Sequence, residues 1–96
     1  MNDKRTLYAE KLKRNVDKWN VDISNFEARV DQAKSEVQVE YRKHVEELKA
    51  QHRELEAKMV DLQKTGKEAW EDMKIGVDLA RRALGDSIEK AKSRFN

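Results

Sequence analysis

Apolar side chains recur along most of the chain at alternating steps of four and three residues. The first run of this pattern contains Leu12, Val16, Trp19, Ile23, Phe26, Val30, Ala33 and Val37. After one stutter it continues through Tyr41, Val45, Leu48, His52, Leu55, Met59 and Leu62. A mean step of about 3.5 residues is the heptad seam of a coiled coil, and a stutter locally unwinds the supercoil. The pattern therefore predicts one long helix over about residues 3–64.

The seam is interrupted near Lys64. Thr65 to Glu68 fits a capping box, with Thr65 as the N-cap and Glu68 reaching back to it. Gly66 could equally be the glycine that ends the preceding helix. Both readings break the chain at the same place, so we predict a hinge or turn at Thr65 and Gly66.

A second seam follows the hinge and predicts a second helix over about residues 67–95. Its apolar positions are Trp70, Met73, Val77, Ala80, Leu84, Ile88, Ala91 and Phe95. Gly76 lies on the edge of this stripe, where a small residue lets another backbone approach. Gly76 and Gly85 each cost about 1 kcal/mol of helix propensity relative to alanine. A close approach would offset the cost at Gly76, but the sequence offers no explanation for Gly85.

Ile75 and Leu79 fall on nearly the opposite side of the second helix from its seam. A simple two-stranded coiled coil has no use for apolar side chains there. We therefore predict a second, smaller contact face at Ile75 and Leu79.

The predicted fold is a single all-α domain over residues 1–96, built as a long-helix coiled coil. A closed hinge gives a helical hairpin, which we favour, and an open hinge gives a continuous rod. In the hairpin the second helix covers only the latter half of the first, so another chain must cover the rest. Both forms predict a dimer or higher helical bundle, most simply a homo-oligomer. The predicted interface comprises Trp19, Ile23, Phe26, Val30, Val37, Tyr41, Leu48, Leu55, Met59, Leu62, Trp70, Met73, Val77, Leu84, Ile88 and Phe95.

Composition favours helix over disorder. Charged residues make up 42% and hydrophobic residues 38%, but there is no proline and only three glycines. The net charge of +2 is spread evenly, so nucleic acid is not an expected partner. The chain has no cysteine, no signal-peptide pattern and no apolar run of membrane-spanning length. We expect a soluble cytoplasmic protein.

Candidate catalytic and metal-binding residues are few. His44 and His52 lack both the Glu-x-x-His spacing of di-iron bundles and the His-Glu-x-x-His motif of zinc proteases. His52 is better explained as a polar seam residue that fixes register. Trp19 and Trp70 fall on the seams, where aromatic rings usually supply packing area. The sequence also has no nucleophile elbow or phosphate loop, so we predict no enzyme, no cofactor and no metal.

Basic residues flank the apolar stripe of the second helix. Those along one side are Lys67, Lys74, Arg81 and Lys92. Long basic side chains at an apolar boundary are typical of lipid-surface helices and also of coiled-coil flanking positions. We therefore predict a structural or adaptor protein acting through helix–helix association with itself or a larger complex. The alternative is a peripheral protein that binds a lipid or membrane surface.

Residues 62–77 carry a more specific signal, read as Leu-x-x-Thr-Gly-x-x-Ala-Trp-x-x-Met-Lys-x-Gly-Val. This segment resembles a family of small bacterial coiled-coil proteins of about this length, some of them labelled stress-associated. Residues 18–23, Glu40-Tyr41 and Arg94-Phe95 extend the resemblance over most of the chain. The family has no assigned biochemistry, so the resemblance implies a helical accessory protein without catalytic residues. Many relatives have an acidic residue after the glycine of the turn, where this chain has Lys67.

Overall fold

The computed structural model describes the backbone of residues 3–95 and the side chains of residues 4–94. It contains three α-helices: α1 (Asp3–Gln32), α2 (Ser35–Lys64) and α3 (Lys67–Phe95). The helices run up, down and up in an elongated bundle of 52 × 17 × 17 Å. A helix of this length spans about 45 Å, so each helix runs along most of the bundle.

The core of the bundle is a column of apolar side chains from all three helices. Its buried members are Leu12, Val16, Ile23, Phe26, Val30, Val45, Leu48, Leu55, Leu62, Trp70, Val77, Leu84, Ile88 and Ala91. Both predicted seams point into this column. Because every residue of the column belongs to one chain, the bundle buries its main apolar stripe without a partner.

The structure corrects the prediction of one helix over residues 3–64, because the chain turns at Ala33 and Lys34. The amide of Ala33 donates to the Val30 carbonyl at 3.1 Å, and Lys34 is extended with φ −63° and ψ 146°. The side-chain amide of Gln38 also donates to the Val30 carbonyl, at 3.1 Å. Both bonds go to the Val30 carbonyl in the last turn of α1, and the extended Lys34 lets α1 fold back along α2. The predicted hairpin at Thr65 and Gly66 thus corresponds to α2 and α3, two of the three helices of a bundle.

This turn also corrects the prediction that another chain covers the N-terminal seam. Ile23, Phe26 and Val30 are buried by α2 and α3 of the same chain, at 4%, 5% and 2% exposure. Trp19 is half-buried and packs against the same core. A single long helix would have left these residues uncovered. Because α1 folds back, α2 and α3 cover them instead.

The second link lies at Thr65 and Gly66, where the sequence places the hinge. Thr65 is extended, with φ −75° and ψ 137°, and its amide donates to the Leu62 carbonyl at 3.2 Å. Its hydroxyl donates to the Asp61 carbonyl at 2.7 Å, so Thr65 ends α2 and does not cap α3 as a capping box would. Gly66 does not have a positive φ either, which excludes the left-handed C-cap.

A polar side chain, that of His52, lies inside the core. His52 of α2 is 7% exposed, and its Nε2 lies 2.9 Å from the Val16 carbonyl of α1, to which it donates. Its Nδ1 lies 3.0 Å from a carboxylate oxygen of Glu56. A buried polar group with a fixed partner on another helix penalises any sliding of the two helices, as the seam position predicts.

Candidate functional site

The outer face of α3, defined here by Asp72, Ile75, Leu79 and Arg82, is directed away from the core. Ile75 and Leu79 are 61% and 62% exposed, and they are four residues apart on one helix face. Asp72 and Arg82, the charged residues on either side of this pair, are also exposed. The outer face of α3 is therefore a short apolar strip with an acid at one end and a base at the other.

Other exposed large apolar residues of the described chain stand alone. Leu7, Val21, Val39 and Val60 are 43–80% exposed, but no two of them lie within one turn of the same helix. Scattered single apolar residues are normal on protein surfaces. Ile75 and Leu79 differ because together they form a continuous apolar surface.

Gly76 lies beside this strip and leaves a recess in it. Apart from Gly76 itself, its two chain neighbours and the backbone of the adjoining turns of α3, no atom of the chain lies within 4 Å of the position that a Cβ atom would occupy at Gly76. The close backbone approach expected at this glycine is therefore not made within the chain. Leu79 and Gly76 also line one wall of a shallow groove between α2 and α3, with Glu54 and Lys58 on the opposite wall.

The charges at the two ends of the strip are free to bind outside the chain. Among the described residues, neither Asp72 nor Arg82 has an ion-pair or hydrogen-bond partner. Asp78, one turn before Arg82, would be its usual helical partner. Asp78 instead accepts a hydrogen bond from Tyr8 and lies 3.9 Å from Arg81.

Tyr8 belongs to a cluster of aromatic and basic side chains at the end of the bundle that holds the N-terminus of α1. Its ring packs edge-on against Trp70, with centroids 5.6 Å apart, and the Lys74 ammonium lies 5.1 Å from its centroid. Burial, followed by the hydrogen bond to Asp78, raises the pKa of the Tyr8 phenol well above its usual 10.0. These contacts join α1 to α3, so we regard the cluster as structural.

A cavity of about 180 Å³ opens next to this cluster, between Leu12, Met59, Leu62 and Trp70. Pockets that bind small molecules usually measure about 300–1,000 Å³. This cavity is smaller, and the polar groups at its mouth include Arg5, which already donates to the Thr65 carbonyl at 2.7 Å. We do not assign a ligand to it.

The histidines occupy structural positions. Within the described part of the chain, no group of three or more His, Cys, Asp or Glu residues is placed to hold a metal ion. His44 is half-buried, and its Nε2 lies 2.6 Å from the guanidinium of Arg94, which also donates to Glu40 at 3.1 Å. This cluster joins α2 to the end of α3.

Most of the predicted interface residues lie in the core of the bundle. Those buried are Ile23, Phe26, Val30, Leu48, Leu55, Leu62, Trp70, Val77, Leu84 and Ile88. Those half-buried are Trp19, Val37, Tyr41, Met59 and Met73. The side chain of Phe95 lies outside the described residues. Among the predicted contact residues whose side chains the structure describes, Ile75 and Leu79 are the exposed pair that remains open to a partner.

Sequence reasoning found Ile75 and Leu79 but missed Asp72 and Arg82. Their signal was present, because residues 68, 72, 75, 79, 82 and 86 follow each other at alternating steps of four and three. This is a heptad pattern on the outer side of α3, with apolar residues at its two central positions only. It was hidden because four of its six members are charged.

No protein-family model, curated protein or solved structure matches this chain. The resemblance to the small bacterial coiled-coil family therefore stays a prediction. Among the described residues, no helix combines the length and the apolar character needed to cross a membrane.

Proposed function

We propose that this protein is a structural or adaptor protein that acts through helix–helix association, with the outer face of α3 as its contact surface. The observation that carries the proposal is the exposure of Ile75 and Leu79, at 61% and 62%, on one face of one helix. Complete burial against a partner helix would contribute about 1.5–3 kcal/mol per side chain to the free energy of association. The surface is small, so we expect the association to be weak.

The closed bundle supports association through a surface that is already folded. Because α1, α2 and α3 already cover each other's apolar stripes, no partner is required to complete the fold. The partner instead docks on a surface that is formed before binding. Binding of this kind costs little ordering of the chain, which partly compensates for the small contact area.

Lipid binding is the alternative function, and the position of the apolar stripe of α3 weighs against it. Val77, Leu84 and Ile88 are buried at 1% exposure or less, so a membrane could reach them only if the bundle opened. Three of the four basic residues that flank the stripe, Lys74, Arg81 and Lys92, also have partners within the chain. Lys74 lies over the Tyr8 ring, and Lys92 lies 3.9 Å from Asp22.

The experiment is the double substitution Ile75→Lys and Leu79→Lys. Both side chains are exposed, so we expect unchanged helical content by circular dichroism and an unchanged melting temperature. Association should be lost, both in sedimentation velocity of the purified protein and in pull-downs from the cells that make it. The matched control is Val21→Lys with Val39→Lys, two positions that are 58% and 80% exposed on other surfaces.

The control pair adds the same charge away from α3, so it should associate as the parent does. If the Ile75/Leu79 variant retains every association of the parent, the outer face of α3 is ordinary surface and the proposal fails. Flotation of the parent protein with anionic vesicles, accompanied by loss of the cooperative melting transition, would favour the lipid alternative instead.

A further inference from the structure

The outer face of α3 reads almost the same in both directions. Extended by one position at each end, it runs Glu68, Asp72, Ile75, Leu79, Arg82 and Asp86 at steps of four, three, four, three and four. Reversing this order about the level of Val77 exchanges Ile75 with Leu79 and Asp72 with Arg82. The two apolar positions thus map onto each other, and the acid maps onto the base.

We propose that the partner of this face is a second copy of the chain, packed with its α3 antiparallel across α3 about a two-fold axis at the level of Val77. The inference rests on the proposed function and names its partner. In such an isologous contact each residue meets the residue with which the reversal exchanges it. Ile75 therefore packs on Leu79 of the second copy, and Leu79 on Ile75.

The charges favour a second copy over an unrelated helix. The two-fold axis brings each Asp72 opposite Arg82 of the second copy, which forms two equivalent ion pairs on either side of the four aliphatic side chains. Neither residue has a competing partner among the described residues of its own chain. Opposite charges at such flanking positions determine both partner choice and orientation in helix pairs. A parallel arrangement would instead place Asp72 against Asp72.

Gly76 supplies the room for this contact. A side chain from a facing helix fits between residues at i, i+3, i+4 and i+7, which on this face are Asp72, Ile75, Gly76 and Leu79. Gly76 is one of the four residues around that site, and no atom of the chain beyond its two neighbours and the adjoining backbone of α3 lies within 4 Å of the missing Cβ atom. A glycine inside a helix costs stability relative to alanine. No contact within the chain explains that cost, whereas the proposed dimer does.

The outermost positions limit the length of the contact. Reversal places Glu68 opposite Asp86, and two carboxylates repel each other. The helices therefore cross, as they do at about 50° in the commonest packing class, and diverge before these positions meet. One crossing buries much less than the roughly 800 Å² per partner of a standard interface. The dimer should accordingly be weak, with a dissociation constant in the micromolar range or above.

Charge exchange tests the dimer directly. Asp72→Arg places two guanidinium groups opposite each other, and Arg82→Asp places two carboxylates opposite each other. Each variant alone should therefore dimerise at least about tenfold more weakly than the parent. Mixing the two variants restores both ion pairs in a heterodimer, and the double variant Asp72→Arg/Arg82→Asp restores them in a homodimer. Both should recover the dissociation constant of the parent in sedimentation velocity at concentrations up to millimolar.

Matched controls are Glu10→Arg and Arg14→Asp, which make the same charge changes on an exposed part of α1 and should leave dimerisation unchanged. Gly76→Ala should weaken the dimer while raising the melting temperature of the monomer. If the mixture of charge variants is no tighter than either variant alone, or if Gly76→Ala dimerises as the parent does, the proposed contact is wrong.

The test separates this inference from the function on which it rests. A parent protein that stays monomeric up to millimolar concentration overturns the homodimer. The proposed function would then still stand if Ile75→Lys/Leu79→Lys, but not its control, lost a different partner protein. If neither association depends on these residues, both proposals fail.

Discussion

The indole ring of Trp19 in α1 packs against the backbone of α3 at Gly85. A Cβ atom at Gly85 would lie 3.3 Å from Cζ2 of Trp19, and 3.7 Å from Cη2. Glycine is unfavourable in a helix interior by about 1 kcal/mol relative to alanine. At Gly85 this cost is offset by the close packing of Trp19, which even a methyl group would push back by a few tenths of an ångström. The contact holds α1 against α3 near the middle of the bundle.

Replacing each helical glycine by alanine should therefore have different effects. We expect Gly76→Ala to raise the free energy of unfolding by up to about 1 kcal/mol, because nothing lies near the new methyl group. For a domain of this size that corresponds to an increase in melting temperature of about 4–8 °C. Gly85→Ala should raise the free energy of unfolding clearly less than Gly76→Ala does, or lower it, because its methyl group pushes against Trp19. Thermal melts at concentrations where the protein is monomeric measure both.

The comparison has its own control in a double-mutant cycle with Trp19→Leu. In that background the indole ring is gone, so Gly85→Ala should raise the free energy of unfolding by about as much as Gly76→Ala does. If Gly85→Ala is equally unfavourable with and without Trp19, the ring does not explain the glycine.

The sequence predicted the features of this fold that depend on local periodicity better than those that depend on where the chain turns. The apolar steps of four and three identified helix and core positions well, because periodicity is a property of each turn. The turn at Ala33 and Lys34 was missed because the steps run through Val30, Ala33 and Val37 without glycine or proline. A weak signal was available. An apolar residue followed six positions later by a glutamate occurs at Val30 and Glu36, and again 32 residues later at Leu62 and Glu68, around the turn that was identified.

The candidate site was predictable only in part. Ile75 and Leu79 stood out because they fall opposite a clear apolar stripe. Whether the main stripe pairs within the chain or between chains could not be read from the pattern, since a heptad seam looks the same in both cases. Nor could the sequence show that Asp78 binds Tyr8, 70 residues away, and so leaves Arg82 without its helical partner.

Alkaline pH should destabilise the bundle through Tyr8. Burial and the hydrogen bond to Asp78 raise its pKa above the usual 10.0, so the folded protein holds the phenol proton more tightly than the unfolded chain does. The stabilisation from this difference is complete below about pH 10 and is lost as the pH rises above that value. In urea unfolding, the free energy of unfolding of the parent should fall above about pH 10, and the fall should be smaller in Tyr8→Phe.

A direct titration checks the same prediction without unfolding. The chain has two tyrosines, so Tyr41→Phe leaves Tyr8 as the only phenol. Its ultraviolet titration in the folded protein should lie above pH 10, and addition of denaturant should bring the midpoint down towards that value. A midpoint at the unfolded value in the folded protein would contradict the burial and hydrogen bond described here.

The turn that sequence analysis missed can be tested at Gln38. Its side-chain amide donates to the Val30 carbonyl at 3.1 Å and so gives this carbonyl in the last turn of α1 a second donor besides the Ala33 amide. Gln38→Met keeps the size of the side chain but removes this donor, and should lower the free energy of unfolding by about 0.5–1.5 kcal/mol. Hydrogen exchange should become faster in the last turn of α1. Gln51→Met, at a similarly half-buried position, is the control and should change little.

His52 should contribute more to the choice of register than to stability. Its Nε2 bond to the Val16 carbonyl spans α2 and α1, but a buried hydrogen bond adds only about 1 kcal/mol net. Losing this bond does not orphan the Val16 carbonyl, because that carbonyl lies inside α1, where the helix itself provides a donor, and an apolar side chain of similar volume fills the same space. We expect His52→Leu to keep or slightly raise the free energy of unfolding, and His52→Ala to lower it by about 2 kcal/mol or more through the cavity it leaves.

The register effect of His52→Leu should appear in a different measurement. Without the bond to Val16, the two helices can slide relative to each other at little cost, so more than one packing becomes populated. Nuclear magnetic resonance signals of core methyl groups such as Leu55 and Val45 should then broaden or double, while helical content stays the same. Sharp, single signals in His52→Leu would show that the apolar core alone fixes the register. A loss of stability as large as that of His52→Ala would show instead that the hydrogen bond outweighs the packing of the side chain.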